Sequence, residues 1–165
     1  MIKLYSTLAV MALIAGCASF SGSGLTPGKS TRAEVEAAMG KPAAADAKPN
    51  GETYLYFSRL PIGRKIYLAK IGPDGVLRGI EQTLTKENLA KVKADMTQAE
   101  VRELLGPTWR SVYLSRLERD VWEYPWQLVE ERRIFWVQFS RDGKVRETIE
   151  LHDFEADPPS GPTKD

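Results

Sequence analysis

The sequence predicts an α+β fold built from two tandem repeats, each a helix followed by a three-stranded antiparallel sheet. Two matches between the halves of the 165-residue chain support this prediction. Each half carries a Thr-x-x-Glu-Val stretch, at 31–35 and 97–101, and a β-rich run that ends in Asp-Gly, at 65–75 and 133–143. Because the two features recur in the same order, we expect a duplicated structural unit.

The helix of each repeat is predicted from its two ends. Thr31 and Thr97 begin capping boxes, in which the hydroxyl accepts a hydrogen bond from a free backbone N–H and the glutamate reaches back to another. The glycines that follow nine residues later, Gly40 and Gly106, are expected to end the helices in a left-handed conformation. An additional helix is predicted only in the second repeat, over 85–93.

Three strands are predicted after each helix. Asp-Gly between two β-rich runs is a strong hairpin signal, and it predicts strands on both sides of Asp74-Gly75 and Asp142-Gly143. The first strand of each sheet is predicted from a match between Tyr54–Phe57 and Trp122–Pro125. Pro125 suits an edge strand, because proline has no backbone N–H to donate to a neighbour.

These features divide the chain into five segments. We expect a signal peptide over 1–16 and a flexible Gly/Ser-rich tether over 17–24. The first repeat then covers 25–84 and the second covers 85–154. The Pro-rich polar stretch 155–165 is predicted to be a disordered tail.

The start of the chain indicates export. Lys3 precedes an apolar run that is shorter than the roughly 20 residues needed to span a membrane. The stretch Ile14-Ala15-Gly16-Cys17 resembles the lipobox of bacterial lipoproteins. That resemblance implies cleavage between Gly16 and Cys17 and acylation of Cys17, with palmitate among the acyl chains. Ala18, where aspartate would favour inner-membrane retention, implies the periplasmic face of a Gram-negative outer membrane. The alternative is an ordinary signal peptide followed by a free thiol.

The composition argues against several classes of function. The net charge of +1 gives no attraction to nucleic acid. Cys17 and His152 are the only cysteine and histidine in the chain, which leaves no metal-ligand spacing and no nucleophile–base pair. We therefore expect no catalytic residues, no metal, no cofactor and no small-molecule substrate. A hydrolase is the weakest of the functional hypotheses.

The second repeat resembles a known family. In the stretch 92–107, Met96-Thr97, Val101, Leu105-Gly106 and Pro107 are similar to the opening motif of the SmpA/OmlA family, to which BamE belongs, and Asp95 stands where that family usually has glycine. The first repeat matches more loosely, at Thr31, Val35, Gly40 and Pro42. The resemblance implies two helices on a three-stranded sheet and a lipoprotein of the outer-membrane β-barrel assembly machinery. As a tandem pair, the chain is also similar to the β-lactamase inhibitor protein.

Aromatic side chains supply the remaining signal. Trp122, Tyr124 and Trp126 alternate along one predicted strand and so share a face, while Trp136 lies on the next strand. One interpretation assigns them to the core and to the seam between the repeats, and the other to a surface that binds a protein partner. Two functional hypotheses follow. The first is a non-enzymatic scaffold anchored by its N-terminal lipid and partnered by the assembly machinery. The second is a periplasmic binding or inhibitor module with a different partner.

Overall fold

The computed structural model describes residues 20–153, which form two antiparallel sheets and three helices. The first repeat contains α1 (Arg32–Met39), β1 (Ala44–Ala47), β2 (Thr53–Ser58), β3 (Ile66–Ile71) and β4 (Leu77–Gln82). The second contains α2 (Lys86–Leu89), α3 (Gln98–Leu105), β5 (Arg110–Leu114), β6 (Arg119–Leu128), β7 (Glu131–Phe139) and β8 (Val145–His152). Sheet 1 has the order β1-β2-β3-β4 and sheet 2 the order β5-β6-β7-β8.

The α+β class is confirmed, but the prediction of three-stranded sheets is wrong, because each sheet has a fourth strand. The additional strands are β1 and β5. The sequence of β1 is Ala-Ala-Asp-Ala, which has little intrinsic strand preference, so its pairing with β2 supplies the order that its sequence does not. The helix predicted over 85–93 is also shorter than expected, since α2 spans only Lys86–Leu89.

Both capping boxes form as predicted. The hydroxyls of Thr31 and Thr97 each accept the backbone N–H of the glutamate three residues on, at 3.3 Å. The backbone N–H of each threonine donates in turn to that glutamate, Glu34 or Glu100, at 2.7 Å. These bonds to the charged carboxylate hold the pKa of Glu34 and Glu100 below its ordinary value.

The strand register corrects the predicted match between β2 and β6. Leu55 pairs with Ala69 and Trp122 pairs with Val137, so Leu55 is the structural equivalent of Trp122. The match of Tyr54 with Trp122 is therefore one residue out of register, and such a slip assigns every side chain to the opposite face. The other strands align as expected, with a bulge in β3 at Lys70/Ile71 and its equivalent in β7 at Gln138/Phe139.

The elements stack in four layers: α1, sheet 1, the α2–α3 region, and sheet 2. One core cluster packs α1 on one face of sheet 1 and contains Val35, Met39, Leu55, Phe57, Ala69, Ile71 and Leu77. The second cluster joins the other face of sheet 1 to α3 and sheet 2. Its members include Tyr56, Ile66, Leu68, Val101, Leu105, Tyr124 and Val137. Helix α3 therefore lies between the two sheets.

The segment before α1 is packed where the structure describes it. The ring of Phe20 meets Tyr67 edge-on, with centroids 5.7 Å apart, and lies 4.0 Å from the guanidinium carbon of Arg59. The expectation of a flexible tether over 17–24 is thus wrong from Phe20 onward, because this aromatic ring covers the end of sheet 1. The predicted signal peptide, Cys17 and the predicted tail over 155–165 lie outside the described residues.

Candidate protein-binding face

The candidate site is the face of sheet 2 that points away from α3, called here the open face. Register places its side chains in three rows across the strands. The rows are Val112–Val121–Gln138–Glu147, Arg110–Glu123–Trp136–Ile149 and Pro125–Ile134–Leu151. Seven of these eleven side chains are apolar, which is unusual for a sheet face that no helix or sheet within residues 20–153 covers.

Trp136 lies in the middle row of the open face. It is half-buried among its neighbours, while Ile134, Ile149 and Leu151 around it are also partly exposed. The indole Nε1 of Trp136 is buried, and it has no hydrogen-bond partner among the described residues. An indole N–H normally finds an acceptor when it is buried, so the unsatisfied N–H of Trp136 is an uncommon feature of this face.

The charged side chains of the open face are held in ion pairs. Glu123 is only 2% exposed, and its carboxylate accepts from Nε of Arg110 at 2.6 Å. The Arg110 guanidinium carbon lies 4.6 Å from the ring centroid of Trp109. At the far side of the face, Nη1 of Arg119 donates to Gln138 at 2.8 Å and to Glu147 at 2.9 Å. The Arg119 contacts lie at the border of the face, whereas Glu123 lies in the middle row beside Trp136.

A cavity of about 310 Å³ opens at one end of the open face, where a loop of the first repeat reaches sheet 2. Ile62 of that loop is 93% exposed and lines the cavity together with Trp109, Pro125 and Ile134. Arg64 and Asp153, which form a buried ion pair, also line this cavity. The loop thus extends the apolar surface beyond the sheet.

Pro125 belongs to this end of the face. Its strand, β6, is central in sheet 2 rather than an edge strand. However, the pairing of β6 with β5 stops at Glu123, so Pro125 has only β7 beside it. The expectation of an edge strand is therefore wrong for β6 as a whole. Pro125 itself nevertheless has one side without a neighbouring strand, where the missing N–H of proline removes no hydrogen bond.

The equivalent face of sheet 1 is covered. Tyr56, which is the counterpart of Glu123, donates its hydroxyl to the backbone oxygen of Glu103 in α3, at 3.4 Å. Arg102 of α3 makes two bonds to the carboxylate of Asp46 on β1, at 3.1 and 3.2 Å. The same side of the repeat therefore receives a helix in the first repeat and receives nothing in the second, among the residues that the structure describes.

The structure divides the four predicted aromatics. Tyr124 is fully buried and donates to the oxygen of Gly106 at 3.2 Å, and burial raises the pKa of its phenol far above the ordinary value. Trp126 is 3% exposed in the same core, and Trp122 packs against Phe139 with ring centroids 4.8 Å apart. The prediction that Tyr124 and Trp126 bind a protein partner is wrong, because α3 already covers the face on which they lie. Trp136 alone lies on the open face.

Several residues of the open face were missed from the sequence, namely Val112, Ile134, Ile149 and Leu151. Ile149 and Leu151 alternate with charged residues in β8, which is the pattern of a strand with one apolar face. That pattern could have identified the face, since the apolar positions of β8 pair with those of Ile134 and Trp136 on β7.

The described residues show no group of side chains that could hold a metal ion, and none of their helices is both long and apolar enough to cross a membrane. His152 lies exposed at the end of β8. Within residues 20–153, the open face is therefore the feature whose chemistry fits a site, and that chemistry is the binding of a protein surface.

Comparison with known protein families finds a match that covers most of the second repeat. Residues 81–149 match the family described as the outer membrane protein assembly factor BamE domain. This segment is similar to the BamE domain. It contains α2, α3 and most of the open face, from Val112 to Ile149.

Two other comparisons add little. No curated protein matches the chain significantly. Among solved structures, the chain is similar to a DUF4309 family protein (YjgB) from Bacillus subtilis subsp. subtilis str. 168, with 18% identity over 79% of this chain and 84% of that chain, and a TM-score of 0.31. A similarity at that score carries no argument about fold or function.

Proposed function

We propose that this chain is an outer-membrane-anchored lipoprotein that acts as a non-enzymatic scaffold or accessory factor in the assembly of outer-membrane β-barrel proteins or in envelope integrity. The BamE-like domain supports the role in outer-membrane protein assembly. The lipobox-like stretch that ends at Cys17 supports the anchor. The single observation that carries the mechanism is the apolar, uncovered face of sheet 2.

A scaffold of this kind works by binding protein, and the open face has the composition for it. Stacked repeats normally end in a polar face, because an apolar terminal layer compromises solubility. Here the terminal layer carries Trp136 and four aliphatic side chains, Val112, Ile134, Ile149 and Leu151. An aromatic anchor surrounded by apolar contacts and a polar rim is the usual anatomy of a protein interface.

The proposed anchor would hold the folded domain close to the bilayer. Phe20 packs on sheet 1, and it is only three residues from Cys17. Three extended residues span at most about 11 Å. Acylation of Cys17 would therefore restrict the domain to the membrane surface, where its encounters with membrane-bound partners become frequent.

The test is an in-cell cross-link followed by pull-down, with a tag placed after Asp157. The wild-type protein is compared with Cys17→Ala and with Trp136→Glu, which adds a charge to the centre of the open face. Tyr113→Glu is the matched control, because Tyr113 is 56% exposed on β5 and belongs to the opposite face of sheet 2.

We expect barrel-assembly components in the wild-type and Tyr113→Glu samples, and a strong reduction with Trp136→Glu and with Cys17→Ala. Recovery of one unrelated envelope protein, equally with and without Cys17, would overturn the scaffold proposal. That result would favour a periplasmic binding or inhibitor module instead. Equal recovery of assembly components with Trp136→Glu would refute the role of the open face.

A further inference from the structure

The contact between the repeats suggests what else can cover the open face. Inside the chain, the last turn of α3 docks on the outer face of sheet 1. A Cβ atom added at Gly106 would lie 2.9 Å from Cγ2 of Ile66 and 3.1 Å from Cδ1 of Tyr56. Lys48, which directly follows β1, reaches the carboxylate of Glu103 at 2.9 Å. The contact is therefore close and includes charged as well as apolar groups.

The last turn of α1 is the counterpart of the last turn of α3. Helix α1 packs on sheet 1 with one side, but no second sheet lies against its last turn among the described residues. Its C-terminal Gly40 has a φ of 88°, almost the 87° of Gly106, yet a Cβ atom added at Gly40 would meet no described atom within 4 Å. The repeat relation makes Glu36, Ala37 and Ala38 the counterparts of Arg102, Glu103 and Leu104. Among the described residues, no sheet covers this turn of α1, where Ala37 is exposed and Ala38 is partly buried against the first core cluster, and no helix covers the open face of sheet 2.

The two uncovered surfaces are complementary in size. Within the chain, Leu104 of α3 lines one groove together with Leu68 and Glu81 of sheet 1. Their counterparts are Ala38 on the helix, and Trp136 and Ile149 on the sheet. Compared with the internal contact, the sheet carries a larger side chain, Trp136 in place of Leu68, and the helix carries a smaller one, Ala38 in place of Leu104. The total side-chain volume between the two layers is therefore nearly the same.

The charges at the two surfaces are also compatible. Arg102 faces Asp46 across the internal contact, and the counterparts of this pair are Glu36 and Val112. The guanidinium of Arg110 belongs to the same face two residues from Val112. Glu36 is already paired with Arg32, and Arg110 with Glu123, so these charges would meet at the rim of the interface as two ion pairs and not as unpaired ions.

We propose that the open face of one molecule binds the last turn of α1 of a second copy, repeating between molecules the contact that joins the two repeats within one. Such a contact is heterologous, so it adds copies in a head-to-tail stack instead of closing a symmetric dimer. The inference shares the open face with the proposed function but requires α1 as well, and the two can fail separately.

The test uses two full-length, differently tagged chains in one cell, in the oxidising periplasm. One carries Ala38→Cys and the other Ile149→Cys, and Cys17 is the only other cysteine. We expect a mixed disulfide between the two chains. Ala33→Cys on α1 is the matched control and should give none with Ile149→Cys. A disulfide joining two Ile149→Cys chains would indicate face-to-face pairing and overturn the proposal, as would the absence of any cross-link.

Two further variants separate this inference from the proposed function. Adding Trp136→Glu to the Ile149→Cys chain should lower the mixed disulfide at least about tenfold, because it removes the central aromatic anchor. Ala38→Arg should end co-recovery of a second tagged copy while leaving recovery of the assembly machinery intact. If Ala38→Arg leaves co-recovery of the second copy unchanged, the head-to-tail contact is refuted whatever the machinery result.

Discussion

The contact between the two repeats can be tested with one pair of substitutions. Gly40→Ala and Gly106→Ala change equivalent residues that follow equivalent helices and share nearly the same φ of 88° and 87°. Both substitutions place a side chain on a backbone conformation that L-amino acids rarely adopt. They differ in their surroundings, since Gly40 is open and Gly106 lies against Ile66 and Tyr56.

The expected magnitudes follow from that difference. Backbone strain of this kind is worth on the order of 1–3 kcal/mol, and it applies to both variants. Only Gly106→Ala also brings a methyl group within 2.9 Å of Cγ2 of Ile66, which is a fully buried residue that must move to accept it. Overpacking of a core adds about 1–3 kcal/mol. We expect Gly106→Ala to be the more destabilising by this second amount.

The assay is equilibrium unfolding in urea, with both variants measured against the wild-type protein at one pH. Subtracting the two losses of unfolding free energy cancels the strain and leaves the steric contribution of the contact between α3 and sheet 1. Equal losses for the two variants would refute the close packing of the repeats, because strain alone would then account for both effects.

Three further predictions concern local features of the fold. Asp95 has a φ of 68° and donates its N–H to the first residue of β8, while Gly28 of the first repeat has a φ of 78° and donates in the same way to β4. Because glycine adopts a positive φ without strain, Asp95→Gly should stabilise the fold by about 0.5–1 kcal/mol in urea unfolding, whereas Ala94→Gly should destabilise it. A loss of stability in both variants would contradict this prediction. Asp153→Asn should cost about 3 kcal/mol, because it leaves the buried Arg64 cation without its carboxylate, and Arg64→Met combined with Asp153→Leu should recover most of the loss; a loss under about 1 kcal/mol for Asp153→Asn would refute the buried pair. The lowered pKa values of Glu34 and Glu100 mean that their contribution is full above 4.5 and is lost as the pH falls through the folded-state pKa, so Glu34→Gln with Glu100→Gln should flatten the acid side of a stability–pH profile; an unchanged slope would exclude the capping boxes as its source.

The repeat was readable from the sequence because its signals are local. The capping boxes at Thr31 and Thr97 and the turns at Gly75 and Gly143 depend on residues three or four apart, and all of them form. The buried faces of α1 and α3 follow from helical spacing in the same way. Local rules were sufficient wherever one element determines its own conformation.

The remaining features depend on neighbours that the sequence does not name. Strand β1 is formed by its pairing with β2, and α2 stays short although its sequence continues apolar to Val92. The aromatic alternation at Trp122, Tyr124 and Trp126 correctly indicated a shared face, but only the register with β7 shows that α3 covers it. The distinction between core and binding surface is therefore a property of the stack and not of the strand.

The same stack explains why the binding face lies where it does. When two units of one helix layer and one sheet layer join, three of the four sheet faces are covered. Helix α1 covers one face of sheet 1, and α3 covers the other face of sheet 1 and one face of sheet 2. The outer sheet surface of the last unit is left over in any such series. Substitution could have made that surface polar, as Glu123 and Gln138 are. Trp136, Ile134, Ile149 and Leu151 keep it apolar, which favours a surface that another protein covers.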